Sequence, residues 1–266
     1  ESMIEVLFLG VSAAVPMPGQ TNASCILRSG KTCILIDCGP AILQQLAAVG
    51  LSPAEITHLY FTHRHGDHAL GFPMLMLWWS VTGQQELSLP TIVGSEQTLK
   101  SLDEMVYLAF GADTASVVAP APHITLPQTG STVQLTPEFR LQAIPMRHHA
   151  YAPVMGARFE VDGHAFAFTG DTMPTDAIIT LAHDADLLVH DATFSATLNP
   201  EHAQGAFGHS TAQIAARNAA AANVKHLALI HIDARYQGKE SIFLEEARRE
   251  FTGQVSIPTG GTLFTF

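Results

Sequence analysis

The stretch HLYFTHRHGDHALG, residues 58–71, sets three histidines and an aspartate into the six positions 63–68, directly behind an apolar run. Histidine and aspartate add little to a core, so such a cluster at the end of a strand points to metal ligation. A metal site needs further ligands, and polar residues at other strand ends offer them: His148 with His149, Asp171, His190 with Asp191, His209 and His231. Sites in layered α/β proteins form where strand ends converge, because side chains there ride on a rigid sheet and face open space. Gly66 before Asp67 and Gly170 before Asp171 let the backbone come close to neighbouring ligands without a Cβ.

Working outward, 56–61 reads as the strand that carries the cluster. Before it, β-rich runs at 4–9, 24–28 and 32–37 are separated by glycine and proline turns, and 40–49 reads as a helix stopped by Gly50. After it, 69–79 and 95–110 read as helices flanking a strand near 91–93. Segments 132–135, 139–146, 154–160 and 164–168 are strand-like, with Asp162-Gly163 as a hairpin turn between the last two. The order then changes to helix 174–182, strand 187–190, helix 210–222, strand 226–230, helix 239–250 and strands 254–257 and 262–265. Strands with helices in both halves predict an α/β fold, a four-layer αββα sandwich, in one domain spanning 1–266. No short-period repeat or low-complexity tract interrupts it.

The 266 residues are 47% hydrophobic, enough to bury a core. Thirteen Lys+Arg against 24 Asp+Glu give a formal charge of −11, opposite in sign to a surface that tracks a phosphate backbone, so nucleic acid is expected to be a disfavoured partner. Cys25, Cys33 and Cys38 lack CxxC spacing and read as reduced core residues. The longest apolar run, 71–81, is too short for a membrane span of about 20 residues. The first strand follows the N-terminus without a basic segment and cleavage site, so a cytoplasmic location is expected.

The segment THRHGDH, 62–68, resembles the HxHxDH signature of the metallo-β-lactamase superfamily. RHH at 147–149, TGDT at 169–172, HDATF at 190–194, GHSTA at 208–212 and LIHIDARY at 229–236 follow in order. With LGVSAAVPMPGQTNAS at 9–24, they are most similar to the ribonuclease Z and arylsulfatase-type phosphodiesterase branch.

That resemblance implies a ligand set. His63, His65 and His148 would hold one metal, Asp67, His68 and His231 a second, and Asp171 would bridge them. Zinc suits these donors, two ions per chain, with manganese or iron as alternatives. The pair would share a water and supply hydroxide as nucleophile. Asp67 and His209 carry the catalytic roles, His209 giving a proton to the leaving oxygen. Several assignments stay open. His149 competes with His148, although the spacing to Gly156-Ala157-Arg158 resembles the family's GYR element and favours His148. His209 could serve only the start of a helix. His190 and Asp191 read as orienting partners rather than ligands. The Met-Trp run at 74–79 is either core, dimer interface or pocket wall, and Arg235 and Tyr236 either meet a substrate anion or pair on the surface.

The tRNA-processing members carry a long inserted arm between the residues matching His148 and Asp171, and only 23 positions separate them here. The leading expectation is therefore hydrolysis of a small-molecule phosphodiester, sulfate ester or related ester, by a chain whose apolar 71–81 would accommodate a homodimer. A ribonuclease Z-like tRNA 3′-end endonuclease without the arm is the first alternative, and a non-hydrolytic metal-binding or sensing scaffold the second.

Overall fold

The strand expected to carry the histidine cluster forms as β4, His58–Tyr60, an interior strand of a seven-stranded sheet. The computed structural model describes residues 3–82, 89–115 and 121–266. Their contacts divide into two compact units. The first comprises Glu1–Val11, Gln20–Pro127 and Thr259–Phe266, and the second Ser12–Gly19 and Gln128–Pro258.

In the first unit, β1 (Ile4–Gly10), β2 (Ser24–Ser29) and β3 (Thr32–Ile36) pair antiparallel, with the C-terminal strand β14 (Leu263–Thr265) on the outer side of β1. From β3 the pairing turns parallel, through β4, β5 (Thr91–Ser95) and β6 (His123–Leu126). Side chains from β1 to β5 bury against helices α1 (Ile42–Ala48), α3 (Phe72–Val81) and α4 (Glu96–Ala115) in one apolar cluster. Leu75, Met76 and Trp79 of α3 lie inside that cluster, so one face of the Met-Trp run is core, while Met74 on the other is exposed. Each such large side chain contributes about 1.5–3 kcal/mol by leaving water. The cluster residues 66–69 form a single separate turn, α2 (Gly66–Ala69), and α3 restarts at Phe72 with Pro73 in its first turn, where a missing N–H costs nothing.

The second unit repeats this plan. Strands β7 (Ser131–Gln134), β8 (Arg140–Pro145), β9 (Met155–Val161) and β10 (His164–Phe168) are antiparallel, and β10, β11 (Leu187–Asp191), β12 (His226–Ile230) and β13 (Gln254–Ser256) are parallel. Asp162 and Gly163 turn the β9–β10 hairpin at φ 50° and 81°, as the Asp-Gly pair predicts. Helices α5 (Ala177–Ala182), α6 (Ala212–Ala221) and α7 (Glu240–Arg248) cover the sheet. Ala212, Ala215, Ala216 and Ala219 of α6 bury fully, and their small side chains let the helix lie close to the strands. Buried Glu246 of α7 accepts from the Ser195 hydroxyl and the N–H groups of Ala196, Thr197 and Gln213, which ties the loop after β11 to the start of α6.

Cys25, Cys33 and Cys38 are buried free thiols, as expected, and burial raises the Cys33 thiol to about 12 and the other two well above their ordinary value. Among the described residues, no helix is long and apolar enough to cross a membrane.

Candidate metal centre

In each unit the polar cluster sits past the strands where antiparallel pairing gives way to parallel, the place at which neighbouring connections diverge and leave a crevice. In the first unit, β3 runs into Asp37, held left-handed at φ 59°, and β4 runs into His63. Asp37 was missed in the sequence reading, and it organises this half. Its Oδ1 accepts from the Thr62 N–H at 2.8 Å, and its Oδ2 accepts from the Thr62 hydroxyl at 2.8 Å and from His68 Nδ1 at 2.7 Å. Because the Thr62 hydroxyl spends its proton on Asp37, its oxygen accepts from His63 Nδ1, 3.0 Å away. Both histidines are thereby fixed as the Nδ1–H tautomer, with the lone pair on Nε2. His63 Nε2 and His65 Nδ1 stand 3.0 Å apart, and His68 Nε2 is 3.4 Å from Asp67 Oδ2.

Gly71 makes the close packing of this loop feasible. A Cβ there would lie 2.1 Å from the Gly39 carbonyl oxygen, and the Gly71 N–H donates to Cys38 O at 2.9 Å. Gly66, expected to play that part, is crowded only by the flexible Leu70 side chain.

The second unit uses the same device. Asp191, at the end of β11, accepts at Oδ1 from the Thr193 N–H and hydroxyl, at 2.9 and 2.7 Å. The Thr193 oxygen then accepts from His231 Nδ1 at 2.9 Å and leaves the lone pair on Nε2. His231 follows β12 with φ 62°, left-handed like Asp37. Asp171, after β10, presents its Oδ1 3.4 Å from His231 Nε2 and its Oδ2 4.0 Å from His148 Nε2. His148 donates from Nδ1 to the Gly208 carbonyl at 2.7 Å, and a side chain at Gly208 would collide with that imidazole. Burial pushes the His148 imidazole down to about 4 despite the opposing charge of Asp171, so it is neutral near pH 7, the form that binds metal. His149 instead stacks on Tyr151, with ring centroids 5.2 Å apart.

His209 donates from Nδ1 to Asp191 Oδ2 at 2.9 Å, and its ring stacks against His231. The helix-starting role open to it is taken by Thr211, whose hydroxyl accepts from the Ile214 N–H. Burial alone would raise the Asp191 carboxyl, but the charge and hydrogen bond of His209 outweigh it and hold it below the usual range. One oxygen or nitrogen each of Asp191, His209 and His231 lie within 4.8 Å of one another. Both Asp191 oxygens, however, are occupied by N–H and O–H donors, which makes Asp191 an anchor. Buried His190 lies between Asp191 O and the Asn218 side chain through its two nitrogens, away from any ligand role. Arg235 pairs with Asp233 at 2.9 Å, and the Tyr236 hydroxyl donates to Asn199.

The donor set fits divalent metal ions. Neutral imidazoles with lone pairs held in fixed directions, beside carboxylates, are the ligands of zinc and its neighbours. Two Zn–N bonds of about 2.1 Å at a tetrahedral angle put their nitrogens roughly 3.4 Å apart, close to the His63–His65 spacing.

Comparisons with known proteins agree with this chemistry. Residues 32–232 match the family model described as β-lactamase superfamily domain. A ribonuclease Z of Methanothermobacter thermautotrophicus is 32% identical over 94% of this chain and 92% of its own length. A ribonuclease Z of Mycobacterium marinum is 31% identical over 96% of each, in an alignment of 269 residues. The crystal structure of the metallo-β-lactamase fold protein YhfI from Bacillus subtilis superposes over all of both chains, with a TM-score of 0.83 at 20% identity. The α/β fold class of the metallo-β-lactamase type, expected from the sequence, is thus the one observed.

One expectation is overturned. A small-molecule ester as partner, with nucleic acid unlikely, conflicts with relatives that are ribonucleases along nearly their whole length. The charge of −11 misled because it sums the entire surface, whereas phosphate contacts depend on a few local cations. Arg64, Arg147 and Arg235 each lie within four positions of a candidate ligand. The M. marinum alignment is barely longer than the part of this chain it covers and leaves no room for a long insertion, whereas the M. thermautotrophicus alignment runs to 287 residues. Motif order, tautomer-fixed histidines and near-full-length identity converge on one conclusion: the chain belongs to the β-lactamase superfamily of metal-dependent hydrolases, alongside its ribonuclease Z members.

Proposed function

We propose that the chain is a di-metal phosphodiesterase of the ribonuclease Z type, cutting precursor tRNA at its 3′ end. The observation that carries the substrate class is the 32% identity to a ribonuclease Z over 94% of the chain. His63, His65 and His148 would hold one ion, Asp67, His68 and His231 the other, with Asp171 between them. The two differently directed oxygens of Asp171, facing His148 and His231, support the bridging role. Two zinc ions, or manganese or iron in their place, would acidify water and neutralise charge on the attacked phosphate.

The chain's own residues do the rest. Thr62 with Asp37, and Thr193 with Asp191, hold imidazoles in the one tautomer that leaves Nε2 able to coordinate. Asp191, its carboxyl held below the usual range, orients His209 through Nδ1, so that Nε2 would be the atom to give a proton to the leaving oxygen. Asp67 lies beside His68 and completes the carboxylate share of the shell.

The test is a gel assay with a 3′-extended precursor tRNA and protein loaded with zinc or manganese. Cleavage at the 3′ end is expected, abolished by chelation and by His65→Ala, with binding that weakens as salt rises. Absence of both cleavage and salt-sensitive binding in fully metallated protein refutes the reading.

A further inference from the structure

Phe207 sits two residues before His209 in the second unit, its ring meeting His202 edge to face with centroids 5.8 Å apart. It is 73% exposed, and its backbone is left-handed at φ 51°. A bulky residue seldom adopts that conformation, and glycine or asparagine would serve the turn at lower cost. Strain of this kind, kept at a surface position, calls for a functional explanation. Reciprocal backbone bonds between Ala206 and His209, at 3.1 and 2.9 Å, close the turn and hold the ring in place. Behind it lies the buried ring of Phe194, with centroids 6.1 Å apart. The Arg235 guanidinium carbon stands 5.7 Å from the centre of the Phe194 ring, and Asp233 fixes its direction through the Arg235 Nε–H.

Phe207, Phe194, Arg235, His209, His231 and Val15 line a cavity of about 320 Å³. That is near the small end of ligand pockets, about 300–1,000 Å³, and suits a single nucleotide. An exposed aromatic face and a guanidinium plane beside a phosphodiester-cleaving centre are the surfaces on which unpaired RNA bases stack.

We propose that this cavity is a nucleotide subsite in which an unpaired base next to the scissile phosphate stacks on Phe207, with Arg235 as the accompanying cation. The proposal rests on the RNA-cleaving reading above. It is tested by binding a single-stranded ribo-oligonucleotide carrying 2-aminopurine, whose fluorescence is quenched on stacking, to the metal-loaded protein and to F207A and F207W. Loss of the ring should weaken binding about 5- to 150-fold and abolish the quench, with tryptophan restoring both. The exposed position lets F207A fold, so its melting temperature should not fall.

Equal affinity and equal quenching in F207A, or no binding by the unaltered protein, would overturn the subsite. Precursor tRNA cleavage is read in parallel. Quenching that depends on Phe207 without any cleavage leaves the subsite standing and removes the proposed function. Cleavage with unaltered affinity in F207A does the reverse.

Discussion

His68 Nδ1 lies 2.7 Å from Asp37 Oδ2, and the same carboxylate takes the Thr62 N–H and hydroxyl, so one buried acid orients two adjacent histidines, His63 and His68. Removing it strands three buried donors. Asp37→Ala should weaken metal binding by about 10- to 100-fold, the usual cost of losing a partner behind a ligand. It should also destabilise the metal-free protein by about 3 kcal/mol, as expected when buried donors lose a charged acceptor. Competition against a chelating dye and urea unfolding read the two effects. Metal affinity equal to that of the unaltered protein would show that Asp37 does not orient the ligands.

Asp37 also marks the limit of what the residue string discloses. The strand before the histidine cluster, the Asp-Gly hairpin and the late switch to alternating helices and strands are local signals, carried by period and turn chemistry, and all formed as read. Asp37 follows a strand, as the candidate ligands do, and the strand-end rule could have found it. Thr62 and Thr193 could not be found that way. Their part depends on a hydroxyl proton being committed to a carboxylate 25 residues away in one case and two in the other. Strand β6 and the break between α2 and α3 were also unread, because a four-residue strand and a one-turn helix carry too little periodicity. The partner expectation failed for a different reason: net charge sums the whole chain, whereas phosphate contacts depend on local cations.

The paired threonines give a sharper test. Thr62→Val and Thr193→Val keep the side-chain shape while removing the hydroxyl, so His63 or His231 loses the acceptor that fixes its tautomer. Each variant should bind metal about 10-fold more weakly, while serine at either position should restore most of the affinity. Isothermal titration with zinc distinguishes this from simple loss of packing, for which serine, the smaller residue, would be the worse replacement.

His209 touches Asp191 and stacks on His231. If it hands over a proton, His209→Gln should lower kcat on precursor tRNA by 10²–10⁴-fold, the range for a lost general acid. Metal content should remain unchanged. A fall in bound metal to match the fall in rate would instead make His209 a ligand, and the proton-donor role would fail. Asp191→Asn should be worse in both respects, since Asp191 also holds Thr172, Thr193 and Ser210.

The last expectation concerns acid. Burial holds the imidazoles of His226 and His190 below their ordinary value of 6.5. An imidazole depressed in the folded state binds its proton more readily when the chain is unfolded, so falling pH favours unfolding. The stability it contributes is complete above the ordinary value and is lost as pH drops below it toward the folded value. The depressed carboxyl of Asp186 acts in the same direction at lower pH. There burial, which would raise it, is outweighed by its hydrogen bonds from Lys225 and the Ala165 N–H. Urea unfolding of metal-free protein should therefore show stability declining from pH 7 to pH 5 and then further into the carboxylate range. In His226→Gln, the first decline should be shallower whatever the variant's absolute stability. A profile for the unaltered protein that stays level between pH 7 and pH 5 would contradict the argument, because no buried neutral imidazole could then be releasing its proton on folding.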